Sequence, residues 1–140
     1  MNLEDLTKNT LKASIVAGSA YMAANSPPIE SLGSFMLGAY AISYEPLQSH
    51  LENKLDHSLE DCIEEKKGET RKIIREAKSG VAKIGASLQM MAAFYGLIYA
   101  HNAMMHDNLL KFIASTAITL GYCGICLKSI SYAEKLKAKE

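Results

Sequence analysis

The sequence predicts an all-α protein made of helical hairpins, with four membrane-embedded helices and a charged amphipathic helix between the two pairs. Apolar residues recur at spacings of three and four, and the sequence has no alternating strand pattern and no Asn-Gly turn. Charge is segregated along the chain: residues 84–127 contain only Asp107 and Lys111, whereas residues 45–83 are dense in both signs. Residues 84–105 form an uncharged run long enough to cross a bilayer as a helix.

The overall composition limits the classes of function. The chain has 140 residues with 15 basic and 15 acidic side chains, so its formal net charge is zero. One domain is the natural expectation for this length, and nucleic acid is not an expected partner because no uncompensated basic surface is available. Three cysteines do not form a disulfide framework, and the charged start of the chain does not resemble a secretory signal.

The N-terminal segment, residues 1–45, predicts a pair of helices. The first helix is expected to begin near Asn2, which can cap it, and to end near Ala24. In "NSPP", Ser26 is expected to cap the second helix with Pro27 at its first position, and Pro46 is expected to end it. Both uncharged stretches are shorter than the roughly 20 residues that a span normally needs. The alternative is a membrane hairpin formed by the C-terminal segment alone, with these two helices interfacial, re-entrant or packed inside an oligomer.

The middle segment, residues 46–80, predicts a charged amphipathic arm with a narrow apolar stripe. Its leucines and isoleucine repeat every four residues, with acidic residues beside them. A break is expected near Gly68, followed by a new helix from about Thr70. The repeating positions are Leu51, Leu55, Leu59 and Ile63.

The C-terminal segment, residues 81–140, predicts a second helical hairpin. Residues 84–105 would form a helix of about 33 Å and residues 109–127 one of about 28 Å, at 1.5 Å per residue. The polar residues 106–108 between them are too few for more than a tight turn. Two such helices joined by a short turn are typical of a membrane hairpin.

Basic residues predict the orientation of this multi-pass protein, because cytoplasmic segments are enriched in Lys and Arg. The inside segments would contain Lys8, Lys12, the basic residues of 54–83 and the lysines of 128–139. The two outside turns contain none, and Lys111 lies close to the outer end of its helix. Both termini are therefore expected on the cytoplasmic side.

Small residues at four-residue spacing predict close helix packing. In lipid, such faces allow two backbones to approach and gain van der Waals contact. Two adjacent sets of this kind occur, one on each helix of the C-terminal hairpin. The six residues are Ala92, Gly96 and Ala100, then Ala117, Gly121 and Gly124.

The most chemically suggestive residues lie at the tip of this hairpin. His101, His106 and Asp107 offer a candidate metal or proton site, but the spacing of the histidines places them about 140° apart on one helix. The favoured interpretation is a polar turn in contact with water. "CGIC" at 123–126 has the C-x-x-C spacing without a βαβ context, so its cysteines are expected to pack as small apolar residues.

No catalytic motif, metal ligand set or cofactor loop is present, so an enzyme is not expected. The leading expectation is a small non-enzymatic membrane protein that acts as a subunit of a transport, secretion or pore-forming assembly. Its partners would be the lipid bilayer and copies of itself or a larger membrane complex. The alternatives are a soluble all-helical adaptor or assembly subunit with apolar faces buried in an oligomer, and a membrane redox or haem protein using the histidines or cysteines.

Overall fold

The computed structural model describes residues 2–60 and 64–138 of the chain. It is 95% helical and, within these residues, contains no strand, which confirms the all-α prediction. The elements are α1 (Leu3–Ala24), α2 (Pro28–Glu60), a 3₁₀ turn (Glu64–Lys66), α3 (Lys67–Met105) and α4 (Leu109–Ala138).

Helix α1 begins and ends where the sequence predicts. The Asp5 N–H donates to Oδ1 of Asn2 at 2.8 Å, so Asn2 is the N-cap. Glu4 and Asp5 lie in the first turn, where the helix dipole favours negative charge.

Helix α2 departs from the prediction at both ends. It begins at Pro28, not Pro27, and the Ser26 hydroxyl is buried without a hydrogen-bond partner, so Ser26 does not cap it. The prediction that Pro46 ends the helix is wrong, because α2 continues through Pro46 to Glu60. An internal proline costs about 3 kcal/mol. Tertiary contacts on both sides of Pro46 offset this cost: the Glu45 carboxylate pairs with two lysines of α1, and the Tyr132 hydroxyl donates to Glu52 at 2.8 Å.

The predicted break near Gly68 is found a few residues earlier in the chain. The 3₁₀ turn precedes α3, which begins at Lys67, three residues before the predicted start at Thr70. Gly68 is the second residue of α3, and a glycine in a helix costs only about 1 kcal/mol, so it does not delay the start of the helix. The predicted arm is therefore the second half of α2 plus the first turns of α3, while Cys62 and Ile63 lie outside the described residues.

The four helices pack as an antiparallel bundle around one core. The most extensive contact joins α3 to α4, and α1 packs against both α4 and α2. Ile15 of α1 and Ile118 and Tyr122 of α4 are fully buried at its centre. This connectivity places the turn between α1 and α2 and the turn between α3 and α4 at one end of the bundle. The start of α1 and the end of α4 lie together at the other end, where Lys128 Nζ donates to the Glu4 carbonyl oxygen at 3.1 Å.

Candidate functional site

The C-terminal hairpin contains the most apolar surface of the protein. The helical segment Glu64–Met105 and helix α4 are both long and apolar enough to cross a membrane. The core helix of a soluble protein passes the same length test, but such a helix is mostly buried. Here only 33% and 39% of the most apolar stretches of the two helices are buried inside the protein. Most of this apolar surface is therefore available to the surroundings.

Large apolar side chains on α3 and α4 point outward. Phe94 and Ile98 are each 60% exposed, and Leu120 is 64% exposed. Soluble monomers rarely leave so continuous an apolar surface in contact with water. We call this surface the apolar belt. Its residues are Leu88, Met90, Met91, Phe94, Tyr95, Leu97, Ile98, Ile113, Leu120 and Leu127.

Apart from Ile74, small and polar side chains form the buried face of α3. Gln89 is fully buried, and its Oε1 accepts a hydrogen bond from the Ser129 hydroxyl at 2.8 Å, which joins α3 to α4. The Tyr122 hydroxyl donates to the Leu37 carbonyl oxygen and joins α4 to α2. Hydrogen bonds of this kind between helices are typical of bundles in lipid, where burial of apolar surface alone does not hold helices together.

The residues with predicted packing roles lie at two different contacts. Ala92, Gly96 and Ala100 are buried on one face of α3, and a Cβ added at Gly96 would lie 2.5 Å from Thr119 Oγ1 of α4. On α4, Gly121 is buried and Gly124 is half-buried, and both face α1 instead, against Ile15 and Leu11. Ala117 is half-buried.

One close contact was not predicted from the sequence. A Cβ added at Gly18 of α1 would lie 2.5 Å from the Ala114 carbonyl oxygen of α4. Ser14 and Gly18 have the same four-residue spacing of small side chains as the α3 set, so a wider search for this pattern would have found Gly18.

The predicted polar tip is a helix-terminating turn. The Asn108 N–H donates to Ala103 O at 2.9 Å and the Asp107 N–H to Met104 O at 3.3 Å, the two bonds of a Schellman motif. Asp107 has a φ of 52°, in the left-handed region. Asn108 Oδ1 accepts from the Lys111 N–H at 3.2 Å and caps α4. His101 and His106 are exposed, like Asp107.

Substitution of Asp107 tests this turn. We expect Asp107→Val to lower the free energy of unfolding by about 1–2 kcal/mol, because a β-branched residue is strained at positive φ. Asp107→Gly should be neutral or stabilising, because glycine adopts this conformation without a steric cost. Thermal unfolding in detergent measures both, and equal effects of the two variants would contradict the assigned backbone conformation.

The cysteines and histidines do not converge. Cys123 is exposed and Cys126 is buried, both are free, and Cys126 Sγ donates to the Ala86 carbonyl oxygen at 3.3 Å. Among residues 2–60 and 64–138, no three His, Cys, Asp or Glu side chains are grouped so that they could hold a metal ion.

A cleft lined by charged residues opens at the end of the bundle opposite the turn between α3 and α4. It has a volume of about 730 Å³ and lies between the start of α1, the middle of α2 and the end of α4. We call it the charged cleft. Its charged and hydroxyl-bearing residues are Glu4, Asp5, Lys8, Tyr44, Glu45, Ser49, Glu52, Lys128, Ser129, Ser131, Tyr132 and Lys135.

Glu45 is the centre of an ion-pair cluster in this cleft. Lys8 Nζ lies 2.7 Å from its Oε1, and Lys12 pairs with its Oε2. Partial burial alone would raise the pKa of Glu45, but the hydrogen bonds and charges of Lys12 and Lys8 together hold it below the ordinary value of 4.5. Lys12 also lies over the Tyr44 ring, 5.4 Å from its centroid. The cluster ties α1 to α2.

The lowered pKa predicts how stability responds to acid. The carboxylate's contribution is fully present above the ordinary pKa and is lost as pH falls through the lower folded-state value. We expect Glu45→Gln to lower the free energy of unfolding by about 1 kcal/mol at neutral pH, as for the loss of a partly exposed ion pair. The variant should also lose less stability than the parent between about pH 5 and 3. Unfolding curves across this pH range, with Glu60→Gln as an exposed control, measure the effect; parallel pH profiles for Glu45→Gln and the parent would contradict it.

No protein-family model, curated protein or solved structure matches this chain. Its function is therefore inferred from the apolar belt, the polar interior and the charged cleft.

Proposed function

We propose that this protein is a small non-enzymatic integral membrane protein that works as a subunit of a transport, secretion or pore-forming assembly. The single observation that carries the proposal is the outward orientation of the large apolar side chains on the two helices that are long and apolar enough to cross a membrane. Its mechanism would be helix packing within a bilayer, not bond chemistry.

The exposure of large apolar side chains and the burial of polar ones support a membrane environment. Phe94 and Ile98 face outward, while Gln89, Ser115 and Ser129 are buried. In water this arrangement loses hydrophobic stabilisation, because large apolar groups stay hydrated. In lipid it is favourable, since the belt would contact acyl chains, and Ser129 and Ser115 form hydrogen bonds to neighbouring helices.

The end-to-end distribution of lysine supports cytoplasmic termini. At one end lie the turns 25–27 and 106–108, which contain no Lys or Arg. The opposite end contains Lys8, Lys12 and Lys128, around the charged cleft. Positive charge of this kind is enriched on the cytoplasmic side of membrane proteins.

The packing of the bundle favours a role in assembly. Its centre is filled by Ile15, Ile118 and Tyr122, so a path for a transported species would lie between copies and not through one bundle. The outer face of α1 offers a surface for close helix contact, because small side chains there are exposed at spacings of three and four. They are Ala13, Ala17, Ala20 and Ala24.

The assembly proposal is tested by Ala17→Leu. We expect it to shift the purified protein in mild detergent to a smaller mass by light scattering, because leucine holds a neighbouring helix away from α1. Ala39→Leu on α2 is the matched control, an exposed alanine among the large side chains Met36 and Ile42. A monomeric parent protein, or equal effects of the two variants, would contradict assembly through α1.

The second candidate is a soluble helical adaptor or assembly subunit. It is favoured by the observation that, of the helices described, only two are both long and apolar enough to cross a membrane, while α1 and α2 do not meet this test. In that case the apolar belt would be buried between copies of the chain. The purified protein would then form an oligomer in the absence of detergent, with the belt protected from water.

A further inference from the structure

The walls of the charged cleft carry opposite charges. Helix α4 contributes Lys128 and Lys135 and no acidic residue. Helices α1 and α2 contribute Glu4, Asp5, Glu45 and Glu52, with Lys8 as the lining cation. Lys8 and Lys12 both pair with Glu45, so the other carboxylates of the cleft have no lysine of α1 beside them in an ion pair. The two walls meet at two hydrogen bonds, from Lys128 Nζ to the Glu4 carbonyl oxygen at 3.1 Å and from Tyr132 to Glu52 at 2.8 Å.

We propose that the charged cleft binds a phosphoethanolamine group, with its phosphate on the α4 wall and its ammonium on the carboxylates of α1 and α2. A simple anion or a simple cation would meet as much repulsion as attraction, because the cleft contains both signs in nearly equal number. A zwitterion places each charge against the opposite wall. A primary ammonium also supplies three N–H donors for carboxylate oxygens.

Two hydroxyl groups accompany the lysines on the α4 wall of the cleft. Ser131 lines it beside Lys128, and Tyr132 lies between the two lysines on the same face of α4. Burial, and then the hydrogen bond to Glu52, raise the pKa of Tyr132 to about 12, so its hydroxyl keeps its proton at neutral pH. Tyr132 donates that proton to Glu52 at 2.8 Å, so it positions the acidic residue, and Ser131 is the neutral donor assigned to the phosphate. The volume of about 730 Å³ is in the range of small-molecule sites.

The group has two possible sources, a phospholipid headgroup and a free phosphoethanolamine in solution. The cleft lies at the lysine-rich end of the bundle, and basic pockets between membrane helices at the cytoplasmic side are suited to lipid headgroups. The lipid source rests on the proposed membrane function. Binding of the free compound does not depend on it.

The test uses the full chain in detergent micelles and measures affinity by isothermal titration calorimetry. The probes are short-chain phosphatidylethanolamine, phosphatidylcholine, phosphatidylglycerol and free O-phosphoethanolamine. We expect an ethanolamine-bearing probe to bind about tenfold more tightly than the choline and glycerol lipids, because each charge-assisted hydrogen bond that is lost weakens binding by about this factor. Choline lacks the N–H donors, and glycerol lacks the cation.

Two variants assign the binding to the cleft. Lys128→Gln with Lys135→Gln removes the cationic wall, and Glu52→Gln weakens the acidic wall; each should reduce affinity about tenfold. Lys137→Gln is the control, an exposed lysine on the same helix that does not line the cleft. Circular dichroism verifies that the variants keep their helix content.

Each outcome decides the proposal. Preference for an ethanolamine probe that both wall variants abolish supports it, and comparison of the lipid with the free compound identifies the source. Equal binding of the three lipids, preference for the glycerol lipid, absence of binding by every probe, or unchanged affinity in the wall variants would overturn it. Binding of free O-phosphoethanolamine by a chain that is soluble without detergent would refute the membrane function and leave the cleft assignment standing.

Discussion

Phe94→Lys is expected to abolish stable membrane insertion of the C-terminal hairpin. Phe94 lies at the middle of the uncharged run 84–105 and is 60% exposed on the apolar belt. A lysine at the centre of a membrane helix costs about 2.5–3.5 kcal/mol, and the favourable transfer of phenylalanine is lost as well. In a soluble protein the same exposed substitution would change the free energy of unfolding by about 0.5 kcal/mol or less.

The matched control is Ile73→Lys, on the same helix. Ile73 is 65% exposed but lies among the charged residues at the start of α3, outside the uncharged run. We expect this variant to insert like the parent. Measurement of the membrane-bound fraction after expression compares the two. If Phe94→Lys inserted as well as Ile73→Lys, the belt would not face lipid.

Gly18→Ala is expected to separate α1 from α4. An added Cβ would lie 2.5 Å from the Ala114 carbonyl oxygen and 3.0 Å from Ile118 Cγ1. The first of these atoms is backbone and moves only with the whole helix. Overpacking of this kind lowers the free energy of unfolding by about 1–3 kcal/mol.

Gly85→Ala on α3 provides the control for Gly18→Ala. A Cβ added at Gly85 meets nothing within 4 Å, so alanine should stabilise the helix by about 0.5–1 kcal/mol through its higher helix propensity. In thermal unfolding in detergent, the melting temperature should therefore fall for Gly18→Ala and rise for Gly85→Ala. Equal shifts in melting temperature would refute the close approach of α1 to α4.

Local signals predicted the parts of the fold that depend on neighbouring residues. Asn2 caps α1 because its side chain reaches the third N–H of the helix, and the turn at 106–108 follows from polar residues between two apolar runs. Pro46 was misjudged because its intrinsic cost of about 3 kcal/mol is opposed by contacts with residues distant in the sequence. The helix break lies a few residues before Gly68, since one glycine near the start of a helix costs only about 1 kcal/mol. The pairing of Glu45 with Lys8 and Lys12, across more than thirty residues, has no local signature.

The candidate site was predictable to different degrees. The apolar belt follows from the absence of charge in residues 84–105 and 112–127. The spacing of Gly121 and Gly124 marked them as packing residues, but not α1 as the helix that they contact, since spacing does not identify a partner. The charged cleft could not be predicted, because Glu4, Glu52 and Lys128 are brought together only by the order of helices in the bundle.

The central claim is that the apolar belt of α3 and α4 contacts lipid. Alkaline carbonate extraction of cells expressing the native chain tests it most directly, because carbonate releases soluble and peripheral proteins and leaves helices that cross the bilayer. We predict that the protein stays in the membrane pellet and is released only by detergent. Recovery in the carbonate supernatant would contradict the membrane function and favour the soluble helical adaptor.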